Sequence, residues 1–175
     1  MSSDHQAAPA RPEDVERWLG ELELAPGPRI DRDGLSAWDL ELDGRRRCDL
    51  PVTVILDPTI GLICWVHFAP PIGDMLRRAY RKLLRWNDEF PFVKFSVAED
   101  GRPILAAELG TTSLDREVLG VALVRLLGVS DRLLEESAEW LWMGGKIPAG
   151  LASRERRNQP LIDRYAERLG ELFGS

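Results

Sequence analysis

Between Ile72 and Leu109 the apolar residues change period from helical to alternating, and that switch limits what the chain can build. Ile72, Met75, Leu76, Ala79, Tyr80, Leu83 and Leu84 follow i, i+3, i+4 spacing. This predicts an amphipathic helix with Arg77, Arg78, Arg81, Lys82 and Arg85 on its wet side. Pro91 ends it. Val93, Phe95 and Val97 then alternate with polar residues, Glu99-Asp100-Gly101 supplies a turn, and Leu105, Ala107 and Leu109 continue. A β-hairpin follows the helix. The stretch pairs no nucleophile with a base, has no glycine-rich phosphate cradle and spaces no metal ligands. It offers apolar area on a helix and on a sheet, which suits contact with another polypeptide.

The same patterns organise the rest of the chain. Residues 1–11 are small and polar and are expected to be disordered. Pro12, followed by Glu13, Asp14 and Glu16, opens a short helix whose apolar side is Val15, Trp18, Leu19 and Leu22. The run APGPRIDRDG reads as a loop. Trp38, Leu40 and Leu42 alternate with Asp39 and Glu41 as a half-buried strand, and Asp43-Gly44 signals a tight turn into a second strand through Val52–Leu56. Asp57-Pro58-Thr59 turns the chain into a third strand, Gly61–Phe68.

After the hairpin, Thr112 and Ser113 are N-cap candidates for a long helix that is apolar nearly all round, bends near Gly128 and runs to about Trp142. A polar, mobile linker and an amphipathic helix over Pro160–Phe173 complete the chain. The order is α, β, β, β, α, β, β, α plus one appended helix. It implies an α+β fold, a twisted antiparallel sheet of about five strands with helices on one face. The organisation is a tail over 1–11, one domain over 12–143, and a linker with its helix over 144–175.

Composition narrows the function. With 23 Lys and Arg against 29 Asp and Glu, the net charge of −6 opposes long-range attraction to nucleic acid and to acidic membrane surfaces. The basic runs Arg45–Arg47 and Arg154, Arg156, Arg157 read as solvated turns. Two cysteines, Cys48 and Cys64, both in strand-like segments, suit reduced core residues in a cytoplasmic protein. The first residues lack the pattern of a signal peptide, and no window has the apolar length of a membrane span.

Two constellations could carry chemistry. Cys64 and His67 are three apart, so on a strand they face opposite ways and cannot share an ion. Asp39 and Glu41 share one strand face, which fits the solvent side of an alternating pattern better than an acid–base pair. Ser130-Asp131 reads as a helix cap. No cofactor and no metal are expected. The sharper reading concerns Ile55, Ile63, Trp65, Ile104 and Ala106, which parity places on the sheet face turned from the helices. They form either an exposed contact patch or a surface covered by the last helix.

The segments PVTVILDPTIGLICWVHFAP, MLRRAYRKLLRWNDEFPFVKFSV, AEDGRPILAAELG and LDREVLGVALVRLL together resemble the YbjN family, over about Leu35 to Leu141. Proteins of that family are similar in fold to class I chaperones of type III secretion. The resemblance implies helices on a twisted antiparallel sheet, a homodimer, no cofactor and no reaction. The first functional expectation is therefore a non-enzymatic, chaperone-like homodimer that holds a peptide or partner protein by helix-in-groove docking or strand addition. Ile63, Trp65, Trp86 and Phe92 are the expected contact residues, and Tyr80, Leu83 and Leu84 are candidates for dimer or core packing. The second is a regulatory or stress-related adaptor that uses Arg45–Arg47 or the C-terminal helix for one fixed partner.

Overall fold

A computed structural model of the chain describes residues 9–73, 76–148 and 155–173. Six antiparallel strands form one sheet: β1 (Ile30–Arg32), β2 (Leu35–Leu42), β3 (Leu50–Asp57), β4 (Gly61–His67), β5 (Lys94–Val97) and β6 (Pro103–Gly110). Their spatial order is β1-β2-β3-β4-β6-β5. The helices are α1 (Pro12–Glu21), α2 (Leu76–Glu89), α3 (Arg116–Arg132), α4 (Leu134–Leu141), α5 (Gln159–Arg164) and α6 (Ala166–Phe173). The fold is α+β, as the element order implies. Residues 1–8 of the tail expected over 1–11, and Asp74 and Met75 of the helix expected from Ile72, lie outside the described residues, while Ile72 and Gly73 are not helical.

Strand parity divides the sheet into two faces. Trp38, Leu40, Leu42, Val52, Val54, Leu56, Leu62, Cys64, Val66, Phe95, Leu105 and Ala107 are buried on one face. They form one apolar cluster with Val15 and Leu19 of α1, Ala79, Leu83 and Trp86 of α2, and Leu119, Leu123 and Leu126 of α3. The second face alternates with the first and carries Asp39, Glu41, Thr53, Ile55, Ile63 and Trp65. Cys64 sits wholly in the core, and burial pushes its thiol up to about 12, far from the thiolate chemistry of a reactive cysteine.

Turns explain where the sequence reading goes astray. The expected loop at APGPRIDRDG contains the edge strand β1, joined to β2 through Asp33 (φ 52°) and Gly34 (φ 82°). Two adjacent positive φ values suit a tight hairpin, and Asp-Gly is the dipeptide that accepts them. The Asp-Gly at Asp43-Gly44, by contrast, makes no tight turn. Asp43 is buried and its carboxylate accepts N–H bonds from Asp49 (2.9 Å) and Arg157 (3.1 Å). Asp131, near the end of α3, accepts the backbone N–H groups of Arg45, Arg46 and Arg47 at 2.6, 3.0 and 2.7 Å. Burial pushes the Asp131 carboxyl up, and those three donors pull the other way. Residues 43–49 thus become a long loop built around two carboxylates.

Asp115, rather than Thr112 or Ser113, caps α3, with its Oδ1 accepting the Val118 N–H at 2.8 Å. The helix passes Gly128 unbroken and ends at Arg132, with Leu133 as its C-cap. Ser130 caps nothing; its hydroxyl bonds the Leu126 carbonyl at 2.8 Å. The C-terminal helix is two helices broken at Tyr165, packed on α3. A Cβ on Gly120 would stand 2.4 Å from the Tyr165 hydroxyl, so α3 needs a glycine where Tyr165 seats. Residues 149–154 of the expected mobile linker lie outside the described residues. Arg156, Arg157 and Asn158 belong to a clasp: Asn158 accepts the Asp43 N–H at 2.9 Å, Arg156 reaches the Cys48 sulfur, and Arg157 reaches Glu41 and Asp49.

Candidate protein-binding face

Register sets the geometry of the second sheet face. One cross-strand row runs Asp39, Thr53, Trp65, Ala106, Lys94 over five adjacent strands, with Trp65 at its middle. The neighbouring row runs Ala37, Ile55, Ile63, Glu108. Trp65 is 40% exposed, while Ile55 and Ile63 are half-buried. Ile104 and Ala106 share this face but are only 5% and 8% exposed, so the accessible apolar area centres on Ile55, Ile63 and Trp65. Polar groups rim it: the Thr53 hydroxyl donates to Asp39 at 2.7 Å, and Lys94 pairs with Glu108 at 2.9 Å. The covering role considered for the last helix is not fulfilled, because α5 and α6 pack on α3.

The carboxylates of Asp39 and Glu41 are held by structural partners. Asp39 accepts from Thr53, and Glu41 pairs with Arg157. Cys64 and His67 lie on opposite faces. Among the described residues no group of three His, Cys, Asp or Glu side chains is placed to hold a metal ion, and no helix is long and apolar enough to cross a membrane.

Trp86 does not belong to a contact surface. It is 0% exposed, with its ring 5.9 Å from Phe68, 5.2 Å from Phe95 and 5.6 Å from Trp140. Four aromatic rings at such spacing make a core, and a partner cannot reach it without unfolding α2. Phe92 is half-buried, set edge-on to Phe90 at 6.2 Å, with the Arg125 guanidinium 5.2 Å from its ring centre. Leu83 is core. Tyr80 and Leu84 are 42% and 69% exposed, on the outside of α2. The helix is phased on Ala79, Leu83, Trp86 and Phe90, and the apolar stripe seen in sequence is wider than the buried one.

Asn87, in the LLRWN run, has a role that sequence patterning does not reveal. Its side-chain oxygen accepts the Phe95 N–H at 2.5 Å, and its amide nitrogen donates to the Phe95 carbonyl at 3.1 Å. Phe95 lies on the edge strand β5, so Asn87 occupies two of the outward-facing backbone groups that an added strand would use. The opposite edge is the three-residue, fully exposed and charged β1. Both edges are guarded, which argues against strand addition as the binding mode. Asn87→Ala is expected to lower stability by about 1–3 kcal/mol, the usual effect of stranding partly buried backbone groups. Chemical denaturation reads the stability, and thioflavin binding reads exposure of the edge; an unchanged midpoint would contradict this role.

Of the basic turn, Arg46 pairs with Glu135 at 2.8 Å. Arg47 is buried, donates to the Phe68 carbonyl and stacks 5.0 Å from the Phe68 ring centre. Burial lowers its pKa to about 10. Arg47 therefore stitches the loop to the core and is not a solvated residue awaiting a partner.

These features define an α+β domain whose antiparallel sheet is backed by helices on one face and, among the described residues, carries a half-exposed tryptophan at the centre of the other. The profile of the YbjN family, described as "Putative bacterial sensory transduction regulator", matches residues 11–139 of the chain, which belongs to that family. A comparison with curated proteins gives no match.

Proposed function

We propose that this chain is a non-enzymatic regulatory adaptor that docks a partner protein on the open sheet face around Trp65. The observation that carries the reading is the placement of Trp65, 40% exposed in the middle of the sheet with Ile55 and Ile63 beside it. Exposed aromatic area with an apolar surround and a polar rim has the composition of an interface centre. The description of the family as a regulator is compatible with such a role. Guarded edges favour docking on the face over holding an extended client strand, and so favour the adaptor over a chaperone of the type III secretion kind.

Trp65→Asp tests this. The variant should keep a near-native circular dichroism spectrum and lose at least about tenfold in recovery of partner from native lysate, as expected for a central aromatic anchor. Loss of the fold would make Trp65 a core residue and end the proposal. Suppression of aggregation of an unfolded protein by the wild-type chain would instead favour the chaperone-like form.

The homodimer is a second reading, favoured by the order of the Trp65 row. A two-fold axis parallel to the strands through Trp65 sets Asp39 of one copy opposite Lys94 of the other. Light scattering decides: a mass above the 19.7 kDa of one chain that falls to it in Trp65→Asp supports the dimer. A concentration-independent 19.7 kDa in the wild type rejects it.

A further inference from the structure

We infer that the outer face of α2 is a second docking surface, built for an acidic amphipathic helix of another protein. Two adjacent rows run along it: Arg77, Arg81 and Arg85 at i, i+4, i+8, and beside them Tyr80 and Leu84 at i, i+4. Arg78 extends the cationic side. All six side chains are exposed, Leu84 to 69%.

Arg45 and Arg132 are exposed without an ion pair among the described residues, but they stand singly, whereas α2 gathers four such arginines on one face. Arg11, Arg17, Arg29, Arg46, Arg102 and Arg157 each lie within 4 Å of a carboxylate. Among the described residues Arg77, Arg78, Arg81 and Arg85 have no ion pair and no hydrogen bond. The one lysine of α2, Lys82, is committed elsewhere, 3.3 Å from Glu139 and 5.5 Å from the centre of the Trp140 ring. Four uncompensated guanidinium groups on one helix of a chain with net charge −6 attract an anionic partner locally.

Single exposed apolar residues are ordinary, but Tyr80 and Leu84 lie side by side, 42% and 69% exposed, along the arginine row. The apolar row needs apolar cover and the cationic row needs carboxylates. A helix with leucines and glutamates in neighbouring i, i+4 rows supplies both. Arginine's fork pairs each carboxylate with two N–H donors. A second copy of this chain is a poor occupant, because a two-fold contact of α2 on α2 would set the arginine rows against each other. Nucleic acid would satisfy the arginines and leave Leu84 uncovered. Asp88 and Glu89 follow the last arginine and bound the cationic row.

The test uses the full chain and a fluorescein-labelled synthetic helix with a glutamate row beside a leucine row, followed by anisotropy. The acidic helix is expected to bind in the micromolar range and to weaken as salt rises. Arg81→Glu with Arg85→Glu should weaken it at least about tenfold, with no change in the thermal midpoint, since these side chains hold nothing in the fold. Leu84→Asp should also weaken it. Trp65→Asp should leave it unchanged, which keeps this surface separate from the sheet face.

Equal binding of a lysine-for-glutamate helix, or an undiminished affinity in the double variant, would overturn the inference. Tighter binding of a single-stranded oligonucleotide that persists in Leu84→Asp would overturn it in favour of nucleic acid. Self-association that is lost only in the arginine variants would overturn it in favour of a second copy.

Discussion

Gly61→Ala is expected to destabilise the chain by about 3 kcal/mol or more, enough to consume a large part of an ordinary domain's stability. Gly61 opens β4 with φ at 118°, a conformation closed to L side chains without strain. Space is denied as well. A Cβ there would stand 2.1 Å from the Leu109 carbonyl oxygen and 2.9 Å from the Gly110 carbonyl carbon. Both are backbone atoms of the partner strand β6, so no rotamer change relieves the clash. The register Gly61↔Gly110 and Leu62↔Leu109 would have to shift, and with it the row that places Trp65 beside Ala106. Urea unfolding followed by circular dichroism checks this. A midpoint within error of wild type would mean that the β4–β6 pairing is looser than described.

Trp86→Ala is expected to cost about 3–5 kcal/mol, the range for truncating a buried aromatic. The ring is fully buried, touches Phe68, Phe95 and Trp140, and joins α2 to the sheet and to α4. Its removal leaves a cavity under the helix that presents the arginine face. The variant should therefore unfold at lower denaturant and lose binding of the acidic helix only in step with the fraction unfolded. Native stability with selective loss of a partner would return Trp86 to the surface role that its sequence position suggested.

Much of this architecture is legible from parity. Trp38, Leu40 and Leu42 against Asp39 and Glu41, and Leu62, Cys64 and Val66 against Ile63 and Trp65, assign both sheet faces because a strand repeats every two residues. Parity therefore names the face turned from the helices, and leaves open whether the last helix covers it. The phase of α2 could not be read from sequence, since Tyr80, Leu83, Leu84 and Trp86 span more than one buried stripe and only the aromatic cluster across the sheet selects Ala79, Leu83 and Trp86. Ile30–Arg32 gave no apolar alternation, being fully exposed, and declares itself only by pairing with β2. Asp43-Gly44 misled for a different reason. Its carboxylate answers to Asp49 and to Arg157, the latter more than a hundred residues away, and local turn propensity carries no information about so distant a donor. Asn87 is the same case on a smaller scale, a polar residue at a helix end whose task is set by the strand that returns beside it.

Oxidative footprinting read at Trp65 and Trp86 tests the central reading most directly. It is run on the chain alone, with buffer at low concentration, and on the chain recovered with the protein it captures. Trp65 should be oxidised readily in the free chain and become protected in the complex, while Trp86 stays protected in both. Undiminished oxidation of Trp65 in the complex, or a Trp65 already protected in a monomeric free chain, would contradict the account.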